Sequence, residues 1–358
     1  MIGLDANAFY WYYGRDKLNM GDSVPKLDVV NLKKFLNNCE DKCITASALI
    51  EIFVHFRDTP DFLSNMIDFI YKNHLRVHNN LPQYIFSDNE LTFIKMASLK
   101  DLNIYAYKLL DEKIKIESNF AFVFLEILTL LYANYHFKTN PKLDKNVQDN
   151  LMLLMGKELN YMEDYLDQLS ESLYSGYADR NKSEQYLKKK YMELLTQNCV
   201  IIHMITDAVE GVLDNKDDLL SIMCTTAQNV KTGLFTNSNT MKTIRDNLAN
   251  DSTFITYAKD EIVDIFINKG FSYYQSKYIK YMLSAWIDNA QQLRKNDIFD
   301  MLCMGIMDKT KFNETKPLCI DQSTYLLTFD DKMRSFIAKE RCNNSVFINR
   351  FMLPEFII

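Results

Sequence analysis

The sequence predicts an α/β protein: a parallel sheet flanked by helices, built from both chain ends and interrupted by a large all-α insertion. Three observations predict it. Short β-like runs stand beside helical patterns at both ends, Met1 to Leu4 and Lys42 to Thr45 at the start, Tyr325 to Thr328 and Val346 to Asn349 at the finish. Strand alternating with helix is the rhythm of a parallel sheet, and from about 81 to 290 that rhythm gives way to successive amphipathic patterns. Only 9 Gly and 6 Pro in 358 residues leave few places to end a helix or tighten a hairpin. The expected division is therefore residues 1–80 with 291–358 as one discontinuous α/β domain, and 81–290 as a helical insertion.

Each element has a local reason. Ile2-Gly3-Leu4 leads into Asp5, and Cys43-Ile44-Thr45 leads into Ser47, whose hydroxyl is expected to cap a helix bearing Glu51 one turn in. In the middle, amphipathic spacing predicts helices over roughly 88–113, 117–137, 146–173, 184–213, 217–231, 239–268 and 272–292. Ser87 with Glu90 reads as a capping box for the first of these. Gly176, Gly211, Gly233 and Gly270 fall near the expected breaks, where a helix end tolerates positive φ. Phe120 to Leu131, the most apolar window, is too short to span a bilayer and contains Glu126, so it reads as a buried helix. Asn296-Asp297-Ile298-Phe299-Asp300 opens another apolar helix, and Tyr325 to Thr328 leads into Asp330.

Composition narrows the function. With 47% hydrophobic residues the chain can bury a large core, and a net charge of −6 argues against a protein that coats nucleic acid by charge alone. Seven scattered Cys without a CxxC pair fit buried thiols in a reducing cytoplasm and no structural zinc. The start, M-I-G-L-D-A-N-A-F, has no basic region ahead of an apolar stretch, against a secretory signal.

Four acids occupy one kind of place. Asp5, Glu51 and Asp330 stand at, or one helix turn beyond, the carboxyl ends of expected strands, and Asp300 lies on the helix that Asp297 opens. Ligand crevices in open α/β sheets lie outside those strand ends, so distant segments are expected to converge in one acidic pocket. Asp297 and Asp300 are three apart, neighbours on one helical face. Two carboxylates about 4 Å apart repel by roughly 4 kcal/mol at an effective dielectric near 20, so such a cluster needs protons or a cation. Oxygen ligands without paired His or Cys suit Mg²⁺ or Mn²⁺, ions that activate water and neutralise phosphodiester oxygens during in-line displacement.

At these residues the sequence resembles the PIN-domain nucleases. The matching pieces, in the family's order, are I-G-L-D-A-N-A-F at the start, T-A-S-A-L-I-E-I around Glu51, D-I-F-D-M-L-C-M-G-I-M from Asp297, L-L-T-F-D-D-K-M around Asp330 and V-F-I-N-R-F-M-L-P-E-F at the end. They cover about 1–60 and 291–358. The resemblance implies that Asp5, Glu51, Asp300 and Asp330 are the metal-binding acids of a divalent-metal-dependent endoribonuclease leaving 5′-phosphate and 3′-hydroxyl ends. Asp297 would be an additional acid on the same helix, with Asn7 and Thr328 orienting the carboxylates. Departures are Phe329, where a small polar residue is common, the extra acid Asp331, and the length of the inserted helices. A flap-type or single-stranded DNA nuclease shares this chemistry, and a non-catalytic helical interaction module on a PIN-like scaffold is the alternative outside enzymes.

Substrate contacts are expected from Tyr10 and Arg15, in the aromatic run that follows Asp5, and from Lys277 and Lys280, interleaved with Tyr274, Tyr278 and Tyr281. For most of these aromatic rings core packing is the commoner outcome. His55, four residues after Glu51, is expected to be packed or on the surface, as are His74 and His78. His203, Asp207 and Glu210 read as a solvated stripe, and Lys188 to Lys190 as a solvated basic face. The expected partners are RNA and a protein regulator acting through the insertion, with the protein in the cytoplasm.

Overall fold

The computed structural model describes residues 1–14, 29–81, 94–139, 239–268, 270–289, 296–307, 325–341 and 351–352. Helices expected over 146–173, 184–213 and 217–231, the box at Ser87 and Glu90, the run Val346 to Asn349, the solvated stripe at His203, the basic run at Lys188 and Arg15 lie outside them.

The described elements are β1 (Ile2–Leu4), α1 (Ala6–Tyr13), α2 (Val29–Asn38), β2 (Lys42–Thr45), α3 (Ala46–His55), α4 (Pro60–Lys72), β3 (Arg76–His78), α5 (Leu99–Thr139), α6 (Asn239–Asn250), α7 (Ser252–Asn268), α8 (Tyr273–Asn289), α9 (Asn296–Cys303) continued by a 3₁₀ turn Met304–Met307, β4 (Tyr325–Leu327), α10 (Asp331–Arg341) and β5 (Phe351–Met352). The five strands form one sheet in the order β3-β2-β1-β4-β5, and every pairing is parallel. The fold is α/β. β1 is central, and its three residues are all buried, as a parallel strand covered on both faces requires.

Strand order reverses at β1. The chain runs outward from β1 through β2 to β3, then returns to β4 on the other side of β1 and continues to β5. The gap beyond the ends of β1 and β4 is thus a topological switch point, where such sheets bind ligands.

The chain divides into two compact units. The first is Met1–Leu110, Phe266–Tyr281 and Phe299–Ile358; the second is Asp111–Ile265 and Met282–Ile298. The sheet's unit therefore differs from the expected 1–80 with 291–358: the start of α5 and the first half of α8 count with it, while 291–298 count with the second unit.

In the first unit, Phe69 of α4 packs edge-on against Tyr12 and Tyr13 of α1, with ring centroids 5.0 and 5.2 Å apart. Tyr278 of α8 meets Phe336 of α10 edge-on at 5.0 Å. Gly3 is dictated by close approach: a Cβ there would lie 1.8 Å from Cδ1 of Ile306, so the 3₁₀ turn rests directly on β1. In the second unit, Phe254, Ala258 and Ile262 make a fully buried stripe at helical spacing on α7. Tyr135 of α5 packs against Phe254 and Tyr257, each at 5.6 Å.

Two local expectations are corrected, and one strand stands where none was expected. The helices expected over 88–113 and 117–137 are one helix, Leu99–Thr139, because Lys113 to Glu117 contains no breaker and forms an i,i+4 ion pair instead. The helix expected over 239–268 is two, divided at Asp251, whose carboxylate accepts the Phe254 N–H at 2.8 Å and starts α7. Arg76–His78 forms an edge strand too short and polar to read from the sequence. A strand stands at Phe351–Met352, and the run Val346 to Asn349 expected to supply one lies outside the described residues. Gly270 has φ of 88°, the positive value expected after a helix end.

Candidate metal and catalytic site

The site is built from strand ends upward. Leu4 of β1 pairs in register with Leu327 of β4, so Asp5 and Thr328 are the next residues at adjacent strand ends. Asp5 is the N-cap of α1, and its Oδ1 accepts the Ala8 N–H at 2.6 Å. Asp330 repeats this arrangement at α10: its Oδ1 accepts the N–H groups of Lys332 at 2.7 Å and Met333 at 2.9 Å. Each acid uses one carboxylate oxygen to anchor the following helix, satisfying otherwise orphaned N–H groups.

Thr328 joins the two. Its hydroxyl donates to the Asp5 carboxylate, and its Oγ1 accepts the Asp330 N–H at 3.1 Å. The residue is fully buried, and an orienting role for it is what the resemblance implies. Asn7 differs from its expected role: its side chain is exposed, and its backbone N–H bonds Asp5.

Asp5 is 4% exposed. Burial pushes its carboxyl up to about 7, against hydrogen bonds from Thr328 and the Ala8 and Asn7 N–H groups that favour the anion, and the nearby Asp330 charge pushes it further. Among the described residues no Lys or Arg pairs with it.

Glu51 reaches the same neighbourhood from α3, whose first turn is capped by Thr45 rather than by the expected Ser47. Thr45 Oγ1 accepts the Ala48 N–H at 3.2 Å, because the helix starts at Ala46 and Ser47 is already inside it. Glu51 is partly buried. After burial itself, its charge is what holds the Tyr10 hydroxyl well above its ordinary value.

Cys303, the last residue of α9, ties the acids together. Its thiol is pushed far up by burial and then by the Asp5 charge, with Glu51 adding a smaller push, while hydrogen bonds from Ser47 and Thr45 oppose them. The sulfur lies 3.2 Å from Ser47 Oγ and 3.6 Å from Thr45 Oγ1. Asp300 is three residues before Cys303, hence on the same face of α9 one turn away, and is partly exposed. Asp5, Glu51 and Asp330 thus form a chain of electrostatic neighbours, with Asp300 on the helix whose end sits among them. Asp297 belongs to the second unit, where it is buried.

The donor set is all oxygen apart from one buried thiol, and its most buried acid, Asp5, has no cationic partner among the described residues. That chemistry fits a hard divalent cation. Among the described residues no three His, Cys, Asp or Glu side chains stand together closely enough to hold one ion as they are.

Of the expected substrate contacts, Tyr10 is 7% exposed and packs against Phe9, His55 and Phe56. Its ring is core and not a stacking surface. Lys277 is half-buried with its ammonium 5.5 Å from the centre of the exposed Tyr273 ring, Lys280 is also half-buried, and Tyr274 and Tyr278 are buried. His55 is on the surface, as expected, and Asp331 is exposed.

Sequence reasoning missed Thr45, Asn80, Gln275 and Cys303. Ser272-x-x-Gln275 does carry a readable signal, a capping box at the start of α8; Asn80 carries none.

Comparison with protein-family models, with curated proteins and with solved structures gave no match. Among the described residues no helix is long and apolar enough to cross a membrane.

Proposed function

We propose that the protein is a PIN-like, divalent-metal-dependent phosphodiester endonuclease acting on RNA in the cytoplasm, leaving 5′-phosphate and 3′-hydroxyl ends. The observation that carries this reading is Asp5. It is a buried carboxyl at the switch point of a parallel sheet, linked through Thr328 to Asp330, with no cation against it among the described residues. A lone structural cap gains nothing from a second acid beside it, whereas a cation site does.

Asp5 and Asp330 would hold the ion, with Glu51 and Asp300 completing its ligands. Mg²⁺ or Mn²⁺ bound there would supply an activated water and charge neutralisation at the scissile phosphate. The protein's own part is positional. Thr328 fixes the Asp5 carboxylate, and the Ala8, Lys332 and Met333 N–H groups each hold one oxygen of an acid, which leaves the other oxygen of each outside these bonds. Lys277 and Lys280 would meet substrate phosphates.

The test is cleavage of RNA and of single-stranded DNA with Mg²⁺ or Mn²⁺, by wild type and by Asp5→Asn and Asp300→Asn. Metal-dependent RNA cleavage lost in both variants is the expected result. Cleavage unchanged in both overturns the site, and cleavage of DNA alone overturns the substrate.

A further inference from the structure

A buried hydrogen-bond network joins the segment under Glu51 to the segment under Asp300, and neither sequence nor site chemistry assigns it a role. Its centre is Asn80, 6% exposed, just after β3. Asn80 Oδ1 accepts the Ser47 N–H at 3.1 Å, and Asn80 Nδ2 donates to Ser47 Oγ at 2.7 Å and to the Leu302 carbonyl at 2.8 Å. Gln275, 2% exposed on α8, completes it. Its Nε2 donates to the carbonyls of Asn80 and Leu302, each at 3.2 Å. Its Oε1 accepts the Ser272 N–H at 2.8 Å, while Ser272 Oγ accepts the Gln275 N–H at 3.2 Å.

The geometry of the ends gives the network its meaning. Leu302 is in the last turn of α9, where carbonyls run out of i+4 partners, and two amide groups distant in the chain converge on this one. Asp300 is two residues earlier. Ser47 lies four residues before Glu51, on the same face of α3. Every donor of both amides is used, and a fully satisfied buried network fixes one arrangement where apolar contacts tolerate several. Pinning a helix end this firmly is more than packing requires.

We propose that Asn80 and Gln275 are positioning residues that set the separation of Glu51 and Asp300, so that metal binding depends on two amides that never touch the ion. This rests on the metal-site reading above and names what holds that site in register. Groups that orient metal ligands commonly change affinity by about 10- to 100-fold when removed.

The test measures Mn²⁺ binding to the full chain by EPR titration of free Mn²⁺, alongside urea unfolding. The variants are Asn80→Leu and Gln275→Met, close in shape and lacking the donors, with Ser272→Ala as control, since it weakens the cap of α8 and leaves every bond to Leu302 in place. The expected result is Mn²⁺ affinity at least 10-fold weaker in Asn80→Leu and Gln275→Met and unchanged in Ser272→Ala. If Asn80→Leu does not fold, Gln275→Met against Ser272→Ala decides. Affinity that falls equally in all three, in step with stability, overturns the proposal. Wild-type affinity in both amide variants overturns it and leaves the metal site standing. Wild type that binds no Mn²⁺ removes the metal site and the positioning role together.

Discussion

Replacing Asp5 by Asn should make the metal-free protein more stable at pH 8, although it removes a residue at the centre of the site. The folded chain holds the Asp5 carboxyl near 7, against 3.8 for a free one, a rise of about 3 units or about 4 kcal/mol at 1.36 kcal/mol per unit. The folded pKa lies above the unfolded one, so the native state binds more protons between those values. Stability from this group is therefore full below about pH 4, falls as pH rises, and is lost above about 7. Asn keeps the oxygen that accepts the Ala8 N–H and can still accept the Thr328 hydroxyl, so neither cap nor bridge is lost with the charge. In EDTA at pH 8 the variant should exceed wild type by up to about 4 kcal/mol, the margin narrowing to about 2 kcal/mol at pH 5. Saturating Mn²⁺ should reverse the order of benefit, adding about 2.7 kcal/mol to wild type at 100 times its Kd and nothing to the variant. Urea unfolding read by Trp11, in a Trp286→Phe background, reports the unit that holds Asp5. A variant less stable than wild type at pH 8 in EDTA, or a margin that does not narrow toward pH 5, refutes the reasoning.

Thr328→Val removes the hydroxyl between Asp5 and Asp330, and urea unfolding at pH 8 should show a loss of about 1–3 kcal/mol together with weaker Mn²⁺ binding by EPR. Thr45→Ala should cost about 1 kcal/mol as the true cap of α3, measured by thermal unfolding. Gly3→Ala forces a methyl against Ile306 and should cost about 1–3 kcal/mol by overpacking, with urea unfolding as the check. Tyr10→Phe should leave RNA cleavage and its salt dependence unchanged, whereas Lys277→Ala with Lys280→Ala should weaken RNA binding and flatten its salt dependence, as read by filter binding across a salt series.

The parallel sheet was legible because its strands end in residues that announce themselves. Asp5 and Asp330 are acids directly after apolar runs, and Asn, Asp, Ser and Thr are the residues that cap the helix such a strand feeds. The same habit misled the reading at α3, where Thr45 and Ser47 are both competent caps two residues apart and only the position of the first helical turn chooses between them. β3 was invisible because an edge strand of three residues has neither the length nor the alternation that periodicity detects. The unbroken α5 was misread for the opposite reason: polar residues at Lys113 to Glu117 look like a boundary, but nothing there stops a helix.

The acids and the amides of the site differ in the same way. A carboxylate after a strand, as Asp5 and Asp330 are, or on an apolar helix, as Glu51 and Asp300 are, owes its place to local chain geometry and stands out one segment at a time. Asn80 and Gln275 owe theirs to each other, 195 residues apart in the chain, and to a carbonyl of Leu302 that any residue would supply. No pattern within one segment encodes that meeting. A sheet of this topology therefore writes its chemistry locally and its precision non-locally. The acids can be read one segment at a time, but the bonds that tie α3 to α9 exist only where the end of β3, α8 and the end of α9 come together.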